Sequence, residues 1–304
     1  MLIGKAELCE ALKPNSEIRI RASRSSAFRV EIQGPGELGF SNEGFSLPQG
    51  EPAIRMRRMK LNSFISMAFA VSCLCCLGAA DGNNTLSDAE KAAGWKLLFN
   101  GKDFTGWHNF KKEGVQPGWQ AKDGALVCVD PHNAGDIVTT EKFGAFELQL
   151  DYNISEGGNS GIMYHVSDEG GAVWATGPEF QLEDNAKAAD PVRCGWLYAL
   201  YQPPTDPNTG KPLDATKPAG QWNHVRLLIT PQKCEHEING VKYFDYVLGS
   251  EDFNKRVAAS KFASMPGFAK SISGYIALQG DHGQVSFRNI KIRSMGTKSQ
   301  AATQ

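Results

Sequence analysis

Neither sign of charge dominates this sequence: 32 lysines and arginines face 33 aspartates and glutamates over 304 residues, and no basic stripe stands out. Gripping a phosphate backbone needs clustered cations, so nucleic acid is a poor fit as a partner. Cysteine is scarce where a fold would use it. Of the seven, Cys9, Cys73, Cys75 and Cys76 precede residue 80, leaving Cys128, Cys194 and Cys234. An odd number with no C-x-x-C spacing argues against a disulfide scaffold and against a structural zinc site; one bridge stays open, but buried free thiols are the favoured reading. There is no internal repeat, no glycine-rich phosphate loop and no succession of long amphipathic segments. Nor is any apolar run comfortable as a membrane span, which needs roughly 20 residues.

One shorter apolar run does stand out. Residues 61–77 carry no charge, follow the basic cluster RMRRMK at 55–60, and end in Gly78-Ala79-Ala80-Asp81. A positive start, a short apolar middle and small residues at the exit are the parts of a secretory signal peptide. On this reading residues 56–80 are the signal, translation begins at Met56 or Met59, and residues 1–55 are an extension outside the fold. An internal signal anchor is the competing reading. Cys73 after Ala70-Val71-Ser72 forms a weak lipobox, but export as a free protein, periplasmic or extracellular, is favoured, with no integral membrane domain once the signal is removed.

The remaining chain, about 220 residues, is long enough for one sandwich with a sizeable core. Residues 81–93 form a polar leader with a short helical signal after Ser87. Beyond it come short runs rich in Val, Ile, Phe, Tyr and Trp, at 95–99, 119–122, 125–129, 136–139, 145–154, 161–166, 179–183, 221–230, 233–238, 241–247, 274–279 and 284–293. Short strands joined by turns, not by helices, predict an all-β sandwich or jelly roll. Asn100-Gly101, Asp123-Gly124 and Asn239-Gly240 tolerate positive φ and mark hairpins. One helix is expected at 251–262, with Ser250 as its N-cap. The Pro/Gly-rich stretch 202–220 reads as a surface loop and a wall of a cleft.

Strand alternation sorts the side chains by face. In 179–183, Phe180 and Leu182 point to the core and Glu179, Gln181 and Glu183 point away. In 275–279, Ile276 and Leu278 are the core pair, with Ala277 and Gln279 outward. Two strands thus present carboxylate and amide groups on an open face, one layout of a sugar cleft.

Ordered blocks across 94–293 add a resemblance. GWKLLFNGKDFTGW at 94–107, GGNSGI at 157–162, TGPEFQ at 176–181, Asp184-Asn185, KPAGQWN at 217–223, EHEING at 235–240, LQGDHG at 278–283 and FRNI at 287–290 resemble the 3-keto-disaccharide hydrolase domain family. That resemblance implies a concanavalin A-like jelly roll of two antiparallel sheets with one short peripheral helix, over residues 94–294, with 295–304 as a tail. It also implies cleavage of 3-keto-glycosides. A ketone at sugar carbon 3 acidifies the hydrogen on carbon 2, so a base removes it, the substituent on carbon 1 leaves, and water adds to the enone. The chemistry needs a base, a polariser of the ketone and an acid for the leaving oxygen. Two departures from the family pattern bear on substrate range: His165 stands where arginine is expected, and no histidine follows Asp184-Asn185.

Glu179, His236 and His282 are the candidate catalytic residues. Asn159, His165, Gln181, Asp184, Tyr198 and Gln279 are candidates for gripping a sugar or 3-keto-glycoside. His165 is expected on the face of Met163; Trp174, Trp196 and Tyr201 join Tyr198 as candidate stacking platforms. Each has a plainer reading: a solvated strand residue for Glu179, an Asx turn for Asp184, an interior histidine for His236, a turn residue for His282. No cofactor is indicated. A divalent metal stays open, because Glu179, Asp184, His165, His236 and His282 offer suitable ligand types without a spacing motif. A non-catalytic carbohydrate-binding module is the rival reading. A conventional glycosidase is disfavoured, since no ExDxxE-type carboxylate spacing occurs.

Overall fold

The computed structural model describes residues 82–295, together with the backbone of 17–22 and 28–33. The expected signal at 56–80, with Cys73, lies outside the described residues. Strands β1 (Glu17–Ala22) and β2 (Phe28–Gln33) pair antiparallel, from Glu17 opposite Gln33 to Ala22 opposite Phe28. This stretch was expected to carry no fold, yet Ile18 and Ile20 alternate with Arg19 and Arg21, a period-two pattern suited to a strand.

Residues 82–295 form the sandwich. Helix α1 (Asp88–Ala92) opens with a capping box in which Ser87 and Glu90 satisfy each other's backbone N–H. The strands that follow are β3 (Lys96–Leu97), β4 (Trp107–Asn109), β5 (Trp119–Lys122), β6 (Ala125–Cys128), β7 (Ile137–Thr139), β8 (Phe146–Ile154), β9 (Asn159–Val166), β10 (Glu179–Glu183), β11 (Asn223–Ile229), β12 (Cys234–Ile238), β13 (Val241–Tyr246), β14 (Tyr275–Leu278) and β15 (Val285–Ser294). The larger sheet runs β13-β12-β11-β8-β15-β6-β5, with β3 beside β15; the smaller runs β10-β9-β14-β7-β4. Every pairing is antiparallel. The molecule is the concanavalin A-like jelly-roll sandwich that the sequence led one to expect.

Alternation fills the space between the sheets. Phe146, Leu148, Leu150 and Tyr152 of β8 face Ile162, Tyr164, Phe180 and Leu182 of the smaller sheet, all at most 1% exposed. Each such side chain contributes about 2 kcal/mol by leaving water. Cys128, Cys194 and Cys234 are free and buried, as expected.

The turns follow their chemistry with one exception. Asp123-Gly124 and Asn239-Gly240 have both residues at positive φ and close β5–β6 and β12–β13. Asn100-Gly101 closes no hairpin, because β3 and β4 belong to different sheets; Asn100 Oδ1 instead accepts from the amides of Lys102 and Asp103. The expected helix is shorter than its pattern. Helix α2 (Glu251–Ala258) starts at the Ser250 cap, then yields to a 3-10 turn, Lys261–Ser264, capped by Ser260.

Candidate active site

The outer face of the smaller sheet gathers most of the candidate residues. Strand β10 pairs Glu179 with Met163, Gln181 with Gly161 and Glu183 with Asn159. On the other side of β9, Ala277 pairs with Met163, and the Gln279 amide donates to Gly161 O at 3.0 Å. Glycine at 161 is a geometric requirement: a Cβ there would lie 2.3 Å from Glu179 Oε1. The Glu179 carboxyl therefore lies across the bare backbone of β9, toward Gln279. With its amide turned to satisfy both neighbours, Gln181 donates to Glu179 Oε1 at 3.1 Å and accepts from Asn159 Nδ2 at 3.1 Å. Gln279, 7% exposed, keeps a buried Oε1 with no hydrogen-bond partner.

This face is not open along its whole length, contrary to expectation. All five residues of β10 are buried. Backbone segment 195–198 runs along the β10 edge, with Gln181 N donating to Trp196 O at 3.1 Å and Tyr198 N donating to Glu179 O at 2.9 Å. Arg193 Nη1 meets Glu183 Oε1 at 3.1 Å. Gln181 is fully covered and Glu183 nearly so; Glu179 and Gln279 keep 7% exposure each, and Asp281 and His282 are exposed on the loop where His282 O accepts from Asn159 N at 3.2 Å.

Burial and neighbouring charges set the proton affinities on this face. Loss of water raises Glu179 from 4.5 to about 8, with Lys261 opposing the rise and Asp136 adding to it. Asp136, just before β7, is raised to about 6, first by burial and then by Asp281, while an amide bond from Gly280 works the other way. Near neutrality the first carboxyl is protonated and the second ionised. His282 is raised by its hydrogen bond to Asp281, and the charges of Asp136 and Glu179 add to this. Two carboxyls with separated affinities on one sheet face form an acid–base arrangement.

The structure brings Glu179, Gln181, Asn159, Gln279, Tyr198 and His282 together. It sets three expected residues elsewhere. His236 is fully buried between the rings of Phe180 and Phe244, at 4.7 and 4.8 Å, with Nδ1 3.0 Å from Gly195 O. Burial lowers its pKa to about 3, so it is neutral and sealed from any ligand. His165 does not share the face of Met163. Its φ is 53°, the register of β9 against β14 shifts beside it, and the ring turns to Phe146 with Nε2 2.8 Å from Gly144 O. Asp184 spends its carboxylate on Gly157 N at 2.9 Å and Ala186 N at 3.1 Å, the turn role open to it from the start. It lines a depression of about 290 Å³ with Asp214, Thr216 and Lys217, so loop 202–220 walls a recess beyond Glu183.

Tyr201 stacks on Phe244 and Tyr246, and Trp174 is 44% exposed on a separate turn. Among the described residues no group of three or more His, Cys, Asp or Glu is placed to hold a metal. The five proposed ligands are dispersed, and the site does not fit a metal built from them. Asp136 and Lys261 were not among the candidates: one directly precedes a strand of three residues, the other sits on a turn about 80 positions beyond Glu179 in sequence.

Known proteins match this chain along the sandwich. A 3-keto-disaccharide hydrolase of Bacteroides thetaiotaomicron is 27% identical over 237 residues, covering 66% of this chain and 79% of that one. A crystal structure from Parabacteroides distasonis, provisionally named a glycosyl hydrolase, is 34% identical with a TM-score of 0.63, covering 71% of this chain and all of the other. The model of the 3-keto-alpha-glucoside-1,2-lyase-like domain matches residues 94–293, from just before β3 to the penultimate residue of β15. The chain belongs to that family.

Proposed function

We propose that this protein cleaves glycosides whose sugar carries a ketone at carbon 3, by elimination followed by addition of water. The carrying observation is the pair of carboxyls split about neutrality, Asp136 at about 6 and Glu179 at about 8, with the charge of Asp136 felt at Glu179 on the outer face of one sheet. Asp136, ionised, takes the hydrogen from carbon 2. The electron pair moves into the ring toward carbon 3, the enolate returns it, and the bond from carbon 1 to the leaving oxygen breaks. Glu179, protonated, gives its proton to that oxygen. Its Oε1 already accepts from Gln181, which fixes the carboxyl's orientation. Water adding across the resulting enone restores a 3-keto sugar. Gln279 and Tyr198 flank the ring, with the His282 imidazole on the adjoining loop.

The name of the Bacteroides relative supports this substrate class. The test is incubation of a glycoside and its 3-keto derivative with the protein in deuterated water. Turnover of the keto form alone, with deuterium at carbon 2 of the product, is expected. Equal turnover of the unoxidised glycoside, or product without deuterium, refutes the mechanism; binding without turnover leaves a carbohydrate-binding module. Export after residue 80 belongs to the same proposal and is checked by N-terminal sequencing of protein recovered outside the cytoplasm.

A further inference from the structure

Lys261 is an exposed ammonium held in a built position. Its Nζ lies 4.0 Å from the centre of the Tyr198 ring, and among the described residues it has no ion-pair partner. Tyr198 is itself pinned: its backbone amide bonds to Glu179 O at 2.9 Å and its hydroxyl donates to Asp190 Oδ2 at 2.8 Å. The turn that carries Lys261 is equally fixed. Ser260 Oγ accepts from Phe262 N, Phe262 and Phe268 stack at 3.8 Å with both rings buried, and Ala269 N reaches Thr176 O at 2.8 Å. Thr176 lies three residues before Glu179. Three segments distant in sequence thus meet at one cation, which rests on an aromatic face beside the acid.

A lysine with no carboxylate to neutralise it, parked by cation–π contact at the mouth of a site, is available for a negative charge that appears only during reaction. We propose that Lys261 is a further catalytic residue: its ammonium holds the enolate oxygen formed at sugar carbon 3, with the Tyr198 ring as its resting place. The inference rests on the elimination reading above. When the base takes the proton from carbon 2, the electrons of that C–H bond become the double bond between carbons 2 and 3, and the carbonyl oxygen takes the charge. Lys261 pairs with that oxygen and transfers no proton. Its electrostatic reach into the site is visible already, since it opposes the rise in Glu179.

The test isolates this step with a 3-keto sugar lacking any substituent at carbon 1, on which enolisation proceeds and elimination cannot. Exchange of the carbon-2 hydrogen for deuterium is followed by NMR for the unmodified protein, Lys261→Met and Lys261→Arg. The methionine variant keeps the stem over Tyr198, and because Lys261 is exposed an unchanged melting temperature is expected. Exchange slower by about 100-fold in Lys261→Met, with partial recovery in Lys261→Arg and little change in sugar affinity, is the expected result. Unchanged exchange in Lys261→Met overturns the role of Lys261 alone. No exchange in the unmodified protein overturns it together with the elimination reading.

Discussion

Glu179 shows how much one residue gives up for a place in the site. As its acidity is weakened by burial, the folded chain holds a proton that the unfolded chain releases, so stability falls as pH rises from about 4.5 to about 8. Glu179→Gln removes that penalty. Thermal melts are expected to show a variant near wild type at pH 4 and more stable by up to about 4 kcal/mol at pH 8, though inactive. An advantage that shrinks with pH contradicts the assignment. In kcat/KM the two carboxyls should appear as a bell, rising through about 6 as Asp136 ionises and falling through about 8 as Glu179 loses its proton. Gly161→Ala brings a methyl 2.3 Å from Glu179 Oε1 and should displace the carboxyl. A loss of activity of about tenfold or more, with circular dichroism unchanged, is expected; full activity would show that the carboxyl need not lie there. None of these three effects requires a change in the core.

Elements explain what was legible in the sequence and what was not. Glu179 and Gln181 were placed opposite Phe180 and Leu182 by alternation, and the structure keeps that order because β10 runs without a bulge. Alternation misplaced His165 because positive φ at that residue resets the phase, and nothing in the side-chain pattern announces the reset. The β4 strand, Trp107–Asn109, was not expected, being three residues held by partners far along the chain. His236 obeyed alternation, sharing the inward face with Cys234 and Ile238, and the rings of Phe180 and Phe244 enclose it there, so the interior reading holds and the catalytic one does not. Lys261 was invisible because its meaning comes from the Phe262–Phe268 stack that folds its turn over the sheet. Phe262→Leu should loosen that turn while keeping an apolar side chain, costing about 1–3 kcal/mol in denaturant unfolding. If Lys261 acts as proposed, kcat drops with it. Loss of stability with kcat intact would separate the turn from the chemistry.

At the scale of the whole molecule, the sheet that does not carry the site is locked on its outside by charge. Glu147, only 3% exposed, accepts from Arg226 Nε at 2.6 Å and from Arg293 Nε at 2.9 Å, tying β8 to both its neighbours. Burial pushes this carboxyl up, but the two guanidiniums outweigh it and hold it below the usual value. Its share of stability is therefore present above the ordinary carboxylate range and is lost as the solution is acidified. Glu147→Ala should cost about 1–3 kcal/mol in chemical denaturation by taking the carboxylate from Arg293, while Arg226 keeps Glu235 and Glu237 at 3.2 and 3.4 Å; a neutral result would show that the ion pairs around Glu147 add nothing to stability. The smaller sheet has a different constraint. Along β10 Phe180 and Leu182 belong to the core and Glu179, Gln181 and Glu183 to the outer face, with no spare position between them. Inserting or deleting one residue in 179–183 would send the carboxyls inward and the phenylalanine outward, so a new contact is accommodated far more readily in the loops than by a change in the length of this strand.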